Sequence, residues 1–497
     1  MLKMTKPRED ETRTSAKKAG VITLTGQLAK ALVQLAGLIA FSHLLTPRDV
    51  GLIGMVAVFL LLGELIRDFG LSQAAIQTAE LSHGQASNLF WTNALVGLVM
   101  SASLFVAAPA VADLYNEPAL SSIAPWIAVT FTINALQMQF QVRLARDFRF
   151  LTLTLTDVFS QLAGLVLGLI AALLGAAYWA LVVQLLVASA TLLVLRAGTA
   201  RWVPGAPRRE AGMSALYMFG LHSGLAQLVQ YVASNADSFT IGIRWGAAPL
   251  GIYNRAFQIF SAPANQLLAP LTNVALPILS RQRHEGRDFY PLLLKAQIAI
   301  SAALTFVFAV VGSLSEPLVR LALGSAWRES APLLSILSIG GAAQALSFMA
   351  YWAFLASGNA RQLFLHSLVT KPILAVAIVL GSVWGLTGVA WGFSLGLVVS
   401  WFISLGWLAK CDGMPARVFL SAGLYVLQSG LVTGAVLWLL NSKFGDHAPS
   451  VVILSIGFLA GGAIYATLLC LRKSNRTVFR SVLSPVAARV KPLLQRN

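Results

Sequence analysis

Charge is what this sequence has least of for its length. Only 11% of its 497 residues are Asp, Glu, Lys or Arg, against roughly 25% in an ordinary soluble domain. Cysteine is nearly missing too. Cys411 and Cys470 are the two in the chain and form no CxxC pair, which argues against a disulfide framework or a thiolate metal site. The six histidines are scattered without ligand spacing, so no metal or other cofactor is called for. No phosphate loop, DxD-type cluster or Ser-His-Asp arrangement stands in a polar segment. Alternating apolar and polar strands are absent as well, which excludes a β-barrel.

What the chain does have is apolar length. It is 57% hydrophobic, with mean hydropathy +0.74, in repeated runs of about twenty residues, the length that crosses a bilayer core. Fourteen spans are expected, starting near Gly20, Val50, Asn88, Leu120, Thr152, Ala176, Ser214, Leu250, Pro291, Ala331, Gln362, Leu386, Pro415 and Ser450. The fold class is therefore all-α and polytopic. No small-residue cleavage site follows the first run, which reads as a retained helix.

The net charge of +17 points to nucleic acid only if its distribution is ignored. With a cytoplasmic N-terminus, the inner segments hold most of the Lys and Arg, from Lys3–Lys18 through Arg143, Arg146 and Arg149 to the tail beyond Arg472. The outer loops hold only Arg48, Arg244, Arg320, Arg328 and Lys443. The positive-inside rule accounts for this and places both termini in the cytoplasm. The basic tail 473–497 suits an anionic inner leaflet.

Sliding the chain on itself by 200 positions superposes Gly20 on Gly220, Gln27 on Gln227, Leu28 on Leu228, Ala36 on Ala236 and Gly51 on Gly251. Six spans separate the copies, so the repeat is parallel. The division expected is a tail 1–19, an N-lobe of six helices over 20–198 and a linker over 199–213. A six-helix C-lobe over 214–410, two further helices over 411–472 and a basic tail follow.

Charges inside the spans are costly, about 2.5–3.5 kcal/mol each on insertion scales, so they face a cavity or a partner. Counting from the first turn puts Lys30 and Glu64 level on neighbouring helices; counting from Gly246 does the same for Asp237 and Arg255. Two inter-helix ion pairs are one expectation. Arg67 lies level with Gln27, and Arg67 and Asp68 either snorkel to the headgroups or meet cargo. Lys371 falls near mid-bilayer beside Pro372, where a helix loses a backbone donor and kinks. Three more prolines, Pro263, Pro270 and Pro277, stand in the eighth span, which is expected to bend. "GVAWGFSLG" at 388–396 is a small-residue packing run. The deep charges Lys30, Arg67, Arg255 and Lys371 outnumber Glu64, Asp68 and Asp237 by one, a surplus that favours an anionic cargo.

Several stretches carry a family likeness: "LLTPRDVGLIGMVAVF", "DFGLSQAAIQ", "SNLFWTNALVGLVM", "RLARDFRF" and the long segment 235–281 from "NADSFTIGIRWG" to "ALPILSR". In these the chain resembles the polysaccharide transporter branch of the MOP superfamily, the Wzx-type oligosaccharide flippases of bacterial inner membranes. The resemblance implies two six-helix lobes around a cavity lined by spans one, two, seven and eight. It also implies alternating-access transfer of undecaprenyl-diphosphate-linked oligosaccharide for exopolysaccharide or lipopolysaccharide assembly, and no enzyme activity. On that reading Lys30, Arg67, Arg255 and Lys371, with Gln27 and Gln227, line the cavity and meet the diphosphate. Glu64, Asp68 and Asp237 serve as ion pairs or couple transport to protons or sodium. The expected partners are the lipid-linked oligosaccharide, membrane lipids and the polymerase and export machinery, with no nucleic acid and a monomeric chain. The alternative is a cation-coupled drug exporter of the same superfamily, whose cavity should be anionic. A membrane polymerase or glycosyltransferase ranks below both, because the outer loops are short and hold no acidic cluster.

Overall fold

The structure is a computed structural model. It describes the backbone of residues 9–68, 81–209, 235–445 and 448–472, with isolated positions at 71, 75–76, 78, 213–214 and 218. Side chains are described from Thr25 onward, leaving out 66–68, 269–270, 273–274 and 360. Among these residues there are fifteen α-helices and no strand. They are α1 Glu9–Leu44, α2 Pro47–Asp68, α3 His83–Tyr115, α4 Ala119–Arg146, α5 Phe150–Leu173, α6 Trp179–Ala200, α7 Ala236–Trp245 and α8 Ala247–His284. Then come α9 Tyr290–Ser313, α10 Ser315–Ala322, α11 Ser330–Ala356, α12 Ala360–Gly381, α13 Gly385–Asp412, α14 Ala416–Phe444 and α15 Ser450–Leu471.

Twelve of the fourteen expected spans have a helix that starts within five residues of the expected position, and α1 starts eleven residues before Gly20; of the seventh, from Ser214, mainly α7 falls within the described residues. Ten segments among the described residues are long and apolar enough to cross a membrane, one of them running through both α12 and α13. α1 begins at Glu9, inside the polar stretch, where Glu, Lys and Ala are good helix formers. α8 stays helical through Pro263, Pro270 and Pro277. α10, in a loop expected to face outward, is a short amphipathic helix that buries Pro317 and Val319. Large apolar side chains remain bare, Phe105 at 62% and Val106 at 78% exposure. Such surface is tolerable only where lipid covers it.

The chain divides into two compact units, Met1–Gly251 and Ile252–Asn497. In the first, α1 runs along α5, α5 along α6, and α3 along α4, while α4 also packs on α2 and α6. Small residues make these approaches close, since lipid removes any hydrophobic drive between helices. Gly97 faces the carbonyl of Phe131, and Gly164 faces that of Gln184. At one end Arg48 pairs with Glu117 at 2.7 Å. There Gly51 lies against the carbonyl of Ala247, and Gly251 against that of Pro47. The two glycines that the repeat equates thus meet at a backbone crossing of α2 with the first turn of α8.

At the other end of this unit α3 opens with a capping box. Ser82 Oγ accepts from the Gln85 amide and Gln85 Oε1 accepts from the Ser82 amide, both at 3.0 Å. Residues 201–209, within the linker expected over 199–213, are extended and strapped onto α3. Trp202 Nε1 donates to His83 Nδ1 at 3.0 Å, Trp91 Nε1 donates to the Gly205 carbonyl, and the Asn88 amide exchanges two hydrogen bonds with the Arg208 backbone.

The second unit has a core of fully buried aromatics, Trp352, Trp401, Phe354 and Phe419 among them. One carboxylate gathers four of its elements at one end. Asp412 accepts from Arg283 Nη2 at 2.7 Å, Tyr290 Oη at 2.7 Å and Ser357 Oγ at 2.6 Å. The small-residue run packs as expected: Gly388 abuts the Gly381 carbonyl and Gly392 the Ala377 carbonyl, which brings α13 against α12.

Candidate functional site

The charges expected in the spans fall on helices in both units. In the first, Lys30 sits on α1 with Gln27 one turn before it, and Gln27 is exposed. Lys30 Nζ is 3.4 Å from Asp157 Oδ2 on α5. Its ion partner is therefore Asp157 and not Glu64. The level count assumes that helices adjacent in sequence pack side by side, whereas α1 lies along α5. Gly26 faces Thr154 there and Gly37 faces Leu165.

Asp157 is shared. Its Oδ1 accepts from Arg196 Nη2 on α6 at 2.6 Å, and the Arg196 Nη1 donates to Gln137 and Gln141 on α4. The Arg196 side chain is 5% exposed, whereas Lys30 keeps 38%. Two cations on one carboxylate leave the cluster with one positive charge, and Lys30 is its more exposed cation. Glu64 on α2 accepts from Asn134 Nδ2 on α4 at 2.7 Å. Arg67 and Asp68 extend the backbone of α2, and their side chains lie outside the described residues, as does Gln227. Asp237, in the first turn of α7, is buried and accepts from the Ser238 amide at 2.7 Å.

In the second unit Arg255 on α8 is 5% exposed. Its Nη1 donates to Gln258 Oε1 at 2.8 Å, its guanidinium lies 5.4 Å from the Trp327 ring centroid, and its Nε has no partner among the described residues. Asp237 and Arg255, level by count, fall in different units, and each is described on its own. Lys371 is half-buried at the middle of α12, which continues through Pro372. Within this unit neither Arg255 nor Lys371 has a carboxylate partner among the described residues. Among those residues no group of three or more His, Cys, Asp or Glu side chains has the placement to hold a metal.

The sequence reading passed over Asp157, Arg196, Gln137 and Asn134. Asp157 had a usable signal: it stands in "LTLTLTDVFSQLAG", an acid a few residues into an apolar span. Arg196 lies near the end of its span, where a basic residue reads as part of an inner loop.

Residues 40–332 match the family described as Polysaccharide biosynthesis protein. The chain belongs to that family. TuaB of Bacillus subtilis (strain 168), a teichuronic acid biosynthesis protein, is 27% identical over 421 residues, covering 82% of this chain and 85% of that protein. ExoT of Rhizobium meliloti (strain 1021), a succinoglycan biosynthesis transport protein, is 23% identical over 458 residues, covering 90% and 91%. Among solved structures, the lipid II flippase MurJ in an inward closed conformation superposes with a TM-score of 0.73 at 12% identity, covering 91% of this chain and 98% of that one. A multidrug resistance MATE transporter of the MOP superfamily gives 0.56 at 14% identity, covering 81% and 98%. The likeness to these structures is one of fold. This member of the polysaccharide biosynthesis protein family has the fold seen in MurJ and in MATE transporters of the MOP superfamily, a fold of transporters and not of enzymes.

Proposed function

We propose that this protein flips undecaprenyl-diphosphate-linked oligosaccharide units across a bacterial inner membrane by alternating access, with both termini cytoplasmic, to supply exopolysaccharide or lipopolysaccharide assembly. The observation that carries the reading is the surplus of cation within the spans. Lys30 and Arg196 share one carboxylate, and Lys371 sits at mid-helix without one among the described residues. A diphosphate is a compact anion that such lysines hold by charge without rigid geometry. The half-exposed Lys30 and Lys371 are the residues assigned to it. Glu64, Asp68 and Asp237 are assigned to ion coupling, and Arg67 to the inner mouth of the path.

A drug exporter of the same fold would carry cations and would need the opposite surplus. Deleting the gene in its host should strand lipid-linked repeat units on the inner leaflet. A plasmid copy should restore export, while copies carrying Lys30→Gln or Lys371→Gln should restore a tenth of it or less at equal membrane abundance. Normal polymer export in the deletion strain, with no second flippase present, would sink the proposal. Drug hypersensitivity of that strain would favour the exporter instead.

A further inference from the structure

A second site lies on the far face of α4. Three glutamines alternate along "QMQFQ": Gln137 and Gln141 bind Arg196, while Gln139 between them points about 200° away at 100° per residue. Gln139, Val142, Arg143 and Arg146 share that other face, at helical spacings of three and four. There they line a cavity of about 80 Å³, closed by the N-terminus of α3 and by Trp202 of the 201–209 strap. The space is several times what one water needs.

Two donors that line this cavity, the Gln139 amide and the Arg143 guanidinium, have room for an acceptor among the described residues. Gln139 is 2% exposed and its amide nitrogen has no partner among the described residues. The Arg143 Nε is taken by Asp147 at 3.1 Å, and its Nη groups donate to nothing among the described residues. Arg146 is aimed by its hydrogen bonds to the Ala75 and Thr78 carbonyls, at 2.7 and 2.6 Å. Trp202 can only donate, so His83 Nδ1 must accept from it and the imidazole proton sits on Nε2. A buried unmet amide beside two guanidiniums calls for an oxyanion with several acceptor atoms, and guanidiniums match phosphate best.

We propose that this cavity is a phosphate-group site, in which Arg143 and the Gln139 amide share one phosphate beside the Trp202 indole. It is separate from the Lys30–Asp157–Arg196 cluster and does not depend on what the protein transports. A bound phosphate would also tie the strap to α4, an element that the strap otherwise reaches through ring contacts such as Trp202 with Phe140.

The ligand could be free phosphate or the headgroup of an anionic lipid, and the test separates them. Purified full-length protein in neutral detergent is titrated with inorganic phosphate by calorimetry. In parallel, protein taken from phosphatidylcholine or phosphatidylglycerol bilayers is weighed by native mass spectrometry for retained lipid. Arg143→Gln, at the exposed mouth, and Gln139→Met are compared with Arg48→Gln, which removes the same charge at the opposite end of the unit. Saturable phosphate binding that weakens at least about tenfold in the two cavity variants and not in Arg48→Gln supports a free-phosphate site. No phosphate binding, but phosphatidylglycerol retained by the wild type and by Arg48→Gln and lost from Arg143→Gln, supports a lipid headgroup. Binding in neither arm, or equal behaviour of all the variants, overturns the proposal.

Discussion

At the scale of single residues, Asp157 holds more than its position suggests. Arg196 is buried and depends on it, because a guanidinium left in a low-dielectric interior without a carboxylate is costly. Lys30 also leans on it, but from the half-exposed side. The two links should therefore separate on mutation. Asp157→Asn should cost about 3 kcal/mol of stability, the lower end for breaking a buried pair, seen as a lowered unfolding midpoint in detergent. Lys30→Gln should cost no more than about 1 kcal/mol by the same measurement. The reverse order would mean that Lys30, not Arg196, is the buried dependent. Asp412 belongs to the same class in the second unit, where its two oxygens serve Arg283, Tyr290 and Ser357. Asp412→Asn should lower the midpoint by an amount equivalent to about 2 kcal/mol, since it removes a charge-assisted partner from three donors on three elements. Lys30 was legible because a lysine inside an apolar run is conspicuous. Its partner was not, because hydropathy reports depth and says nothing of which helix lies alongside.

At the scale of elements, close packing rests on glycine where backbones touch. A methyl group on Gly51 would sit within 1.7 Å of the Ala247 carbonyl oxygen, and one on Gly251 within 1.9 Å of that of Pro47. Backbone cannot yield as a flexible side chain does. Gly51→Ala and Gly251→Ala should each lose about 1–3 kcal/mol or more, measured as folded yield and unfolding midpoint. Gly198→Ala is the matched control: the position is helical and open, with nothing within 4 Å. It should be neutral or stabilising by up to about 1 kcal/mol. The 388–396 run was readable as a packing face, because small residues four apart leave a groove whatever the partner. The Gly51–Gly251 crossing was not. The repeat shows that the two positions are equivalent, and equivalence does not imply contact.

At the scale of the whole molecule, basic loops and apolar spans argue for one orientation. Cys470 lies exposed at the end of α15, on the side assigned to the cytoplasm by loop charge. In a Cys411→Ser background, a membrane-impermeant maleimide should label Cys470 in inverted vesicles and leave it unlabelled in intact spheroplasts. Labelling from the outer face would reverse the assigned topology.

Sequence alone determined the membrane class, the start of nearly every helix and the family likeness, since span hydropathy, loop charge and turn residues act over short stretches of chain. Tertiary structure decided which charges meet. It moved the partner of Lys30 from Glu64 to Asp157, brought Arg196 into the same cluster and docked the expected linker onto α3. The reason is physical. In lipid, lateral neighbours are chosen by small-residue grooves and by hydrogen bonds between distant segments, and neither leaves a periodic mark in the chain.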